Sequence, residues 1–373
     1  MKRVCHLTSV HSSDDTRVFH KECVSLAHAG YDVTLVAPGE SREELGVHVI
    51  GVGEKPAGTL NRLASPFARH AYETALALDC ELYHLHDPEL LPFARRLKRH
   101  GKTVIFDSHE FYALLIQEKS YIPGFLKKPA SRVYGALEAS VFQKIDAVII
   151  PCTSYGKNPF EKCAKRTVIV DNLPDAGRFP PPKPLYPDAE NAVGYVGGIT
   201  RERGITRLVQ ACALAGVRLR LAGPVWPAYL EELQSMPEYS CVDYAGVVPY
   251  AEVPEFCRHF SIGMATLLRL HQYTCTDNLS TKAYEYMGAG LPVILADKPS
   301  TRAFMKEVDC ALAVDPDNPS EIAAAIRSLL DDPERRAAMG ERGYSALQSR
   351  FNWQTEEKKL LALYEELLPL KGE

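Results

Sequence analysis

Short runs of apolar and β-branched residues alternate with longer amphipathic stretches along the first half of the chain. The runs fall at residues 4–8, 33–37, 47–52, 82–85, 103–106 and 147–150. Between them, residues 17–29 and 88–99 carry helical periodicity, the second opening with Asp87 at an N-cap position and Pro88 in the first turn. Strands spaced by helices predict βαβ units and a parallel sheet. The second half restarts the alternation at residues 192–196, 218–221, 242–245, 262–266, 293–295 and 311–314. A second doubly wound sheet is therefore expected. Prolines at 174, 180, 181, 182, 184 and 187 crowd the junction. Fixed φ angles and missing N–H donors keep such a segment out of sheets and helices, so it predicts a stiff linker. A last helix is expected over residues 355–368. The expected organisation is an N-terminal Rossmann-like domain over 1–173, a linker over 174–190, a C-terminal Rossmann-like domain over 191–352, and a terminal helix over 353–373 that packs back on the first domain. Ligands of open α/β sheets bind beyond the carboxyl ends of the strands, so the chemistry is expected in the loops that follow them, at a cleft between facing sheets.

The 373-residue length fits two domains better than one core. Hydrophobic residues at 46% and charged residues at 24% are ordinary for a globular chain, and a formal charge of −4 offers no general attraction to phosphate backbones. Nucleic acid is not an expected partner. The ten cysteines are scattered, with no C-x-x-C pair, and several lie in apolar runs where a thiol acts as a small hydrophobe. With no signal-like apolar core at the start and no apolar run of 18 residues, a reducing, cytoplasmic setting is expected.

The most specific stretch runs from Asp277 through Leu279, Ser280, Thr281, Lys282 and Glu285 to Gly290 and Pro292-Val293-Ile294. It reads as a loop, a helix beginning near Ser280, a glycine stop and a buried strand. Ser280 or Thr281 can cap the helix, whose exposed N–H groups form an anion site. Lys282 in that first turn opposes the positive end of the helix unless an anion is bound. Glu285, one turn on, is placed to accept hydrogen bonds from hydroxyls such as those of a ribose. Earlier, Gly194-Tyr195-Val196-Gly197-Gly198 runs into Arg201, Arg203 and Gly204. A glycine turn lets backbone approach a ligand, and arginine's planar fork suits diphosphate.

These stretches resemble family 4 glycosyltransferases. Glu285 falls on the second carboxylate of the family's signature, and Asp277 stands where relatives usually have Glu. Gly198 occupies the usual Arg position and Arg203 the usual Lys position of the diphosphate loop, with Arg201 a candidate replacement. Val248 ends a strand that in relatives meets the nucleobase. In the first half, His109, in Asp107-Ser108-His109-Glu110, matches the histidine that relatives place beside the donor sugar. The loop carrying His11, Asp14, Asp15 and Arg17 resembles that of a subgroup and is a candidate for donor or acceptor contacts, although Asp15 or Thr16 can equally cap the following helix. His84-Leu85-His86-Asp87 has metal-like content, but a set of ligands cannot be established from it, and no metal or other cofactor is expected.

The resemblance implies the GT-B architecture and retaining transfer of a sugar from a UDP- or GDP-sugar to a glycan, lipid-linked or small-molecule acceptor. A non-hydrolysing sugar-nucleotide epimerase and a non-catalytic nucleotide-sugar-binding module are the alternatives. Positive charge at residues 95–102 and at Lys127, Lys128 and Arg132 can complement helix ends or support weak peripheral contact with an anionic membrane.

Overall fold

The computed structural model describes residues 1–58, 65–119, 122–270 and 274–370. The chain divides into two units, Met1–Asn172 together with Gln354–Glu373, and Leu173–Trp353.

In the first unit, β1 (Arg3–Leu7), β2 (Asp32–Ala37), β3 (Arg42–Glu44), β4 (Val47–Gly51), β5 (Leu82–Leu85), β6 (Thr103–Asp107), β7 (Ala147–Ile150) and β8 (Thr167–Ile169) form one sheet. Its order is β3-β4-β2-β1-β5-β6-β7-β8, and every pairing is parallel except β3 with β4. The parallel strands run almost wholly buried, with Val4, Leu35, Leu82, Val104 and Val148 at 0% exposure. That is why they read as apolar runs rather than as alternation. The chain reverses its winding between β1 and β5, so the crevice for a ligand opens beyond those two strand ends. Helix Trp353–Leu367 belongs to this unit from Gln354 onward. Tyr364 packs edge-on to Tyr31, with ring centroids 5.6 Å apart, and the Glu356 carboxylate accepts the Asp171 N–H at 2.9 Å.

In the second unit, β9 (Ala192–Val196), β10 (Arg218–Ala222), β11 (Val242–Tyr244), β12 (Ile262–Ala265), β13 (Val293–Ala296) and β14 (Ala311–Val314) form an all-parallel sheet of order β11-β10-β9-β12-β13-β14. The reversal lies between β9 and β12. The proline-rich stretch is docked on this unit: the Tyr186 N–H donates to the Arg258 carbonyl at 2.9 Å, and Glu190 pairs with Arg336 at 2.6 Å.

Two short strands lie outside the expected set. β3 is charged and carries no apolar run, and β8, Thr-Val-Ile at the sheet edge, is only three residues long. The first helical segment opens as a π-helical turn, Val18–Cys23, before the α-helix Val24–His28. Asp87 does not cap the turn Pro88–Leu90 that follows it. Its carboxylate is used on the β1 loop instead.

Candidate functional site

Beyond β9 the chain turns through Gly197 at φ +132°. Next to it, Gly223 sits at φ +139°, where an added Cβ would lie 2.0 Å from the Gly197 carbonyl oxygen. Only glycine fits at Gly223, because two strand-end loops touch there backbone to backbone. Lys282 and Arg203 converge on this turn. The point a Cβ would occupy on Gly197 is 3.8 Å from Lys282 Nζ and 3.9 Å from an Arg203 guanidinium nitrogen. Lys282 is 6% exposed, and its ammonium lies 5.1 Å from the centre of the Tyr195 ring. Burial, and then the Arg203 charge, push its pKa down to about 7, with Glu285 opposing. Two cations in so small a space repel one another, and an anion bound there would relieve both.

Helix Thr281–Gly288 aims its first turn at the same place. Ser280 holds the N-cap position with extended backbone, yet its side chain makes no capping bond. The Tyr286 hydroxyl accepts the Val196 N–H at 2.8 Å, tying the helix to the end of β9. Glu285 is half-buried and Asp277 exposed. The Asp277 loop is held by Lys298, whose ammonium donates to the Asn278 carbonyl at 2.8 Å. Leu279 and Ser280 line a small cavity of about 90 Å³, with Asp297 and Lys298 across from them. Val248 is half-buried against the core below the helix. Gly198 contributes its carbonyl to the Tyr195 hydroxyl at 2.9 Å. Arg201 is not brought to this group: it pairs with Glu232 and lies over the Tyr229 ring.

In the first unit a cavity of about 560 Å³ opens beyond β1, β5 and β6 and is lined by His11, Arg17, Asp87, His109 and Glu110 among others. The buried Asp87 carboxylate organises its floor. It accepts the Thr8 hydroxyl and the Ser9 N–H, both at 2.6 Å, and the Val10 N–H at 3.1 Å. His11 Nδ1 stands 3.0 Å from its other oxygen. Burial disfavours the His11 imidazolium, but the Asp87 hydrogen bond and charge override it and raise its pKa. The Arg17 guanidinium is buried between two carboxylates, 2.8 Å from Asp107 and 3.0 Å from Glu22. Asp15 and Asp14 stand apart from the cavity lining. Asp15 accepts the N–H groups of Arg17 and Val18, so it caps the following helical turn, while Asp14 pairs with His20 on the surface.

Behind His109 lies a cluster that single-strand reading misses. His84, in β5, and His86, just beyond its end, fall on one side by their two-residue spacing, and the parallel register sets His6 directly beside His84. All three are fully buried, and burial holds them neutral, His6 down to about 3. Glu22 Oε2 lies about 4 Å from one nitrogen of each. The content fits a metal, but the spacing does not. His6 Nδ1 and His86 Nε2 are 2.9 Å apart, sharing a hydrogen bond, where two imidazoles on one tetrahedral ion with bonds of about 2.1 Å stand about 3.4 Å apart. The sequence signal that was available is polar residues at alternating positions in an otherwise buried strand.

Two doubly wound sheets, each with charged loops at its reversal point, define the GT-B class. Residues 16–158 match the family described as "Glycosyl transferase 4-like domain", and residues 201–362 match that described as "Glycosyl transferase-like". Over 163 residues the chain is 28% identical to D-inositol 3-phosphate glycosyltransferase of Thermobispora bispora, an alignment covering 44% of this chain and 36% of that relative. The chain thus spans about a third of the length of that curated relative. Among solved structures, sucrose-phosphate synthase from Thermosynechococcus elongatus is similar with a TM-score of 0.78 at 18% identity, covering 98% of this chain and 99% of that one. Anabaena HepE in complex with UDP is similar with a TM-score of 0.71 at 15% identity, covering 98% and 100%. The chain belongs to the family 4 glycosyltransferases.

Proposed function

We propose that the protein transfers a sugar, with retention of anomeric configuration, from a nucleoside-diphosphate sugar to a hydroxyl acceptor. The observation that carries this reading is the convergence of Lys282 and Arg203 on the glycine turn after β9, with the first turn of helix Thr281–Gly288 beside them. In the reaction the bond between the anomeric carbon and the diphosphate oxygen breaks with its electron pair leaving on the nucleotide. The acceptor oxygen bonds the same carbon and loses its proton. Preorganised cations at the departing diphosphate stabilise the charge that develops there, the task a divalent ion performs in other enzymes. Glu285 is assigned to donor hydroxyls and Val248 to the base. His109 and Asp277 are assigned to the donor sugar, and the cavity with His11, Arg17 and His109 to the reacting end. Arg201, turned to Glu232, is left outside the donor contacts.

Anabaena HepE, of similar fold, is described in complex with UDP, so UDP is the first probe and GDP the second. Calorimetry with each nucleotide, followed by release of nucleotide from UDP- and GDP-sugars with and without glycan or lipid-linked acceptors, tests the reading. Acceptor-dependent release in excess EDTA is expected. Conversion of the sugar nucleotide without any acceptor would instead identify an epimerase, and binding without turnover under any acceptor a binding module.

The acceptor side is proposed to include weak contact with an anionic membrane. Among the described residues no helix is long and apolar enough to cross one. Helix Gly124–Phe142, however, exposes Phe125 and Val133, 80% and 72% accessible, beside Lys127, Lys128 and Arg132. Apolar anchors among cations are the composition that an anionic lipid surface attracts. In the other basic stretch Lys98 and Lys102 are already paired, with Asp146 and Asp79.

A further inference from the structure

Five side chains form an unbroken hydrogen-bonded row from the middle of the first unit to its cavity. His84 Nδ1 is 3.0 Å from the Tyr364 hydroxyl, and that hydroxyl is 3.0 Å from His6 Nε2. His6 Nδ1 is 2.9 Å from His86 Nε2, and His86 Nδ1 is 3.0 Å from His109 Nε2. A neutral imidazole donates from one nitrogen and accepts at the other. The row therefore admits two arrangements, with every proton pointing toward His109 or every proton pointing away.

Two observations choose between them. At the far end, His84 Nε2 is buried without a hydrogen-bond partner. Protons pointing away from His109 would place an N–H there with no acceptor. Protons pointing toward His109 leave a bare lone pair, which burial tolerates better than an orphaned donor. The second observation is Glu22. Its Oε2 lies 4.0 Å from His6 Nδ1, 3.9 Å from His84 Nδ1 and 4.0 Å from His86 Nε2. The inward arrangement puts hydrogens on two of these three nitrogens, those of His6 and His84, near this carboxyl oxygen, and the outward arrangement on only one, that of His86. The opposing influence is Asp107, whose Oδ2 is 3.7 Å from His109 Nε2. That oxygen already accepts two hydrogen bonds from Arg17, at 3.2 and 2.8 Å.

We propose that His86, backed by His6, Tyr364 and His84, is a positioning residue that fixes His109 as its Nδ1–H tautomer. His86 Nδ1–H donates to His109 Nε2, so the nitrogen left to the cavity carries a hydrogen and serves as a donor, suited to a sugar hydroxyl or ring oxygen rather than to proton abstraction. His11, stacked on His109 with ring centroids 4.7 Å apart, contributes a second polar ring at the same wall. The catalytic meaning of the row rests on the function proposed above; the tautomer itself does not.

Nitrogen NMR of the protein labelled in its histidines reads the tautomer of each ring without any turnover, and loss of one set of signals in His109→Gln assigns His109. The wild type is expected to show His109 protonated at Nδ1. In His86→Leu, Nε2 loses its donor and faces only Asp107, and the proton is expected to move to Nε2. His86→Gln, whose amide can donate to the same nitrogen, is expected to keep the Nδ1–H form. If activity is found, His86→Leu should lower kcat about tenfold or more with little change in donor KM, and His86→Gln should recover most of it. An Nε2–H tautomer in the wild type overturns the proposal, and this readout stands even where His86→Leu fails to fold. So does an unchanged tautomer in folded His86→Leu. A stoichiometric metal ion in the purified protein would take the lone pairs of His6 and His86 and overturn it as well. The expected tautomers in a protein without transferase activity would leave the row standing and remove the function.

Discussion

Lys282 is held where an ammonium is poorly solvated, and this has a cost in the empty protein. Its pKa is near 7 in the folded chain against an ordinary value near 10.5. Below pH 7 both folded and unfolded chains carry the charge and the folded state bears the full burial cost. As pH rises from 7 toward 10.5 the folded state sheds the proton first, and the cost shrinks. Lys282→Met should therefore stabilise the ligand-free protein by a few kcal/mol at pH 6, at about 1.36 kcal/mol per pKa unit, with the gain fading toward pH 10. Urea melts across that range measure it. The same substitution, like Arg203→Ala, should weaken nucleoside diphosphate binding by about 1.5–3 kcal/mol, because each removes a charge-assisted hydrogen bond. Calorimetry at pH 6.5 that finds unchanged affinity in a folded variant removes that residue from the donor site. A stabilised protein that binds less well is the signature of a residue kept for its ligand.

At the scale of elements, the two units are held to their shapes by turns as much as by strands. Gly223→Ala would drive a methyl into the Gly197 carbonyl from a backbone angle side chains rarely adopt. A loss of about 1–3 kcal/mol in thermal or urea unfolding is expected, together with weaker diphosphate binding, because the turn it displaces is the one Lys282 and Arg203 address. On helix Gly124–Phe142, Phe125→Ser combined with Lys127→Glu and Lys128→Glu should abolish sedimentation with anionic vesicles at low salt while leaving nucleotide affinity unchanged; equal sedimentation of wild type and variant leaves the helix as ordinary surface. Both sheets were legible in the sequence because buried parallel strands must be apolar throughout, and the strand ends at Gly197 and Asp107 followed from them. β3 was not, since a charged three-residue edge strand leaves no apolar pattern, and β8, although it runs into Val168-Ile169-Val170, is too short to stand out as a strand. Nor was the row behind His109: that His6 lies beside His84 is a fact of register between β1 and β5, and that Tyr364 closes it depends on where a helix 280 residues further along the chain comes to rest. Arg201 shows the converse, a residue of suitable chemistry in a suitable loop that the neighbouring Glu232 claims.

The two units are built differently from the chain. The second is one continuous segment, Leu173–Trp353, and holds Lys282, Arg203, Glu285 and Asp277. Expressed alone, residues 173–353 should fold cooperatively and bind UDP within about tenfold of the whole protein; a molten or non-binding fragment would show that the proposed donor site needs more than this unit supplies. The first unit is discontinuous, and residues 1–172 without residues 354–370 should lose the Tyr364 hydroxyl from the centre of their histidine row and unfold at lower temperature. That discontinuity also orders events during synthesis. A ribosome releases β1 and β5 early, with His6 and His84 already side by side, but the tyrosine that joins them is made some 280 residues later. Through all of that interval the second unit can finish folding, while the first waits with polar rings uncovered at its heart, the state in which chaperones find their clients.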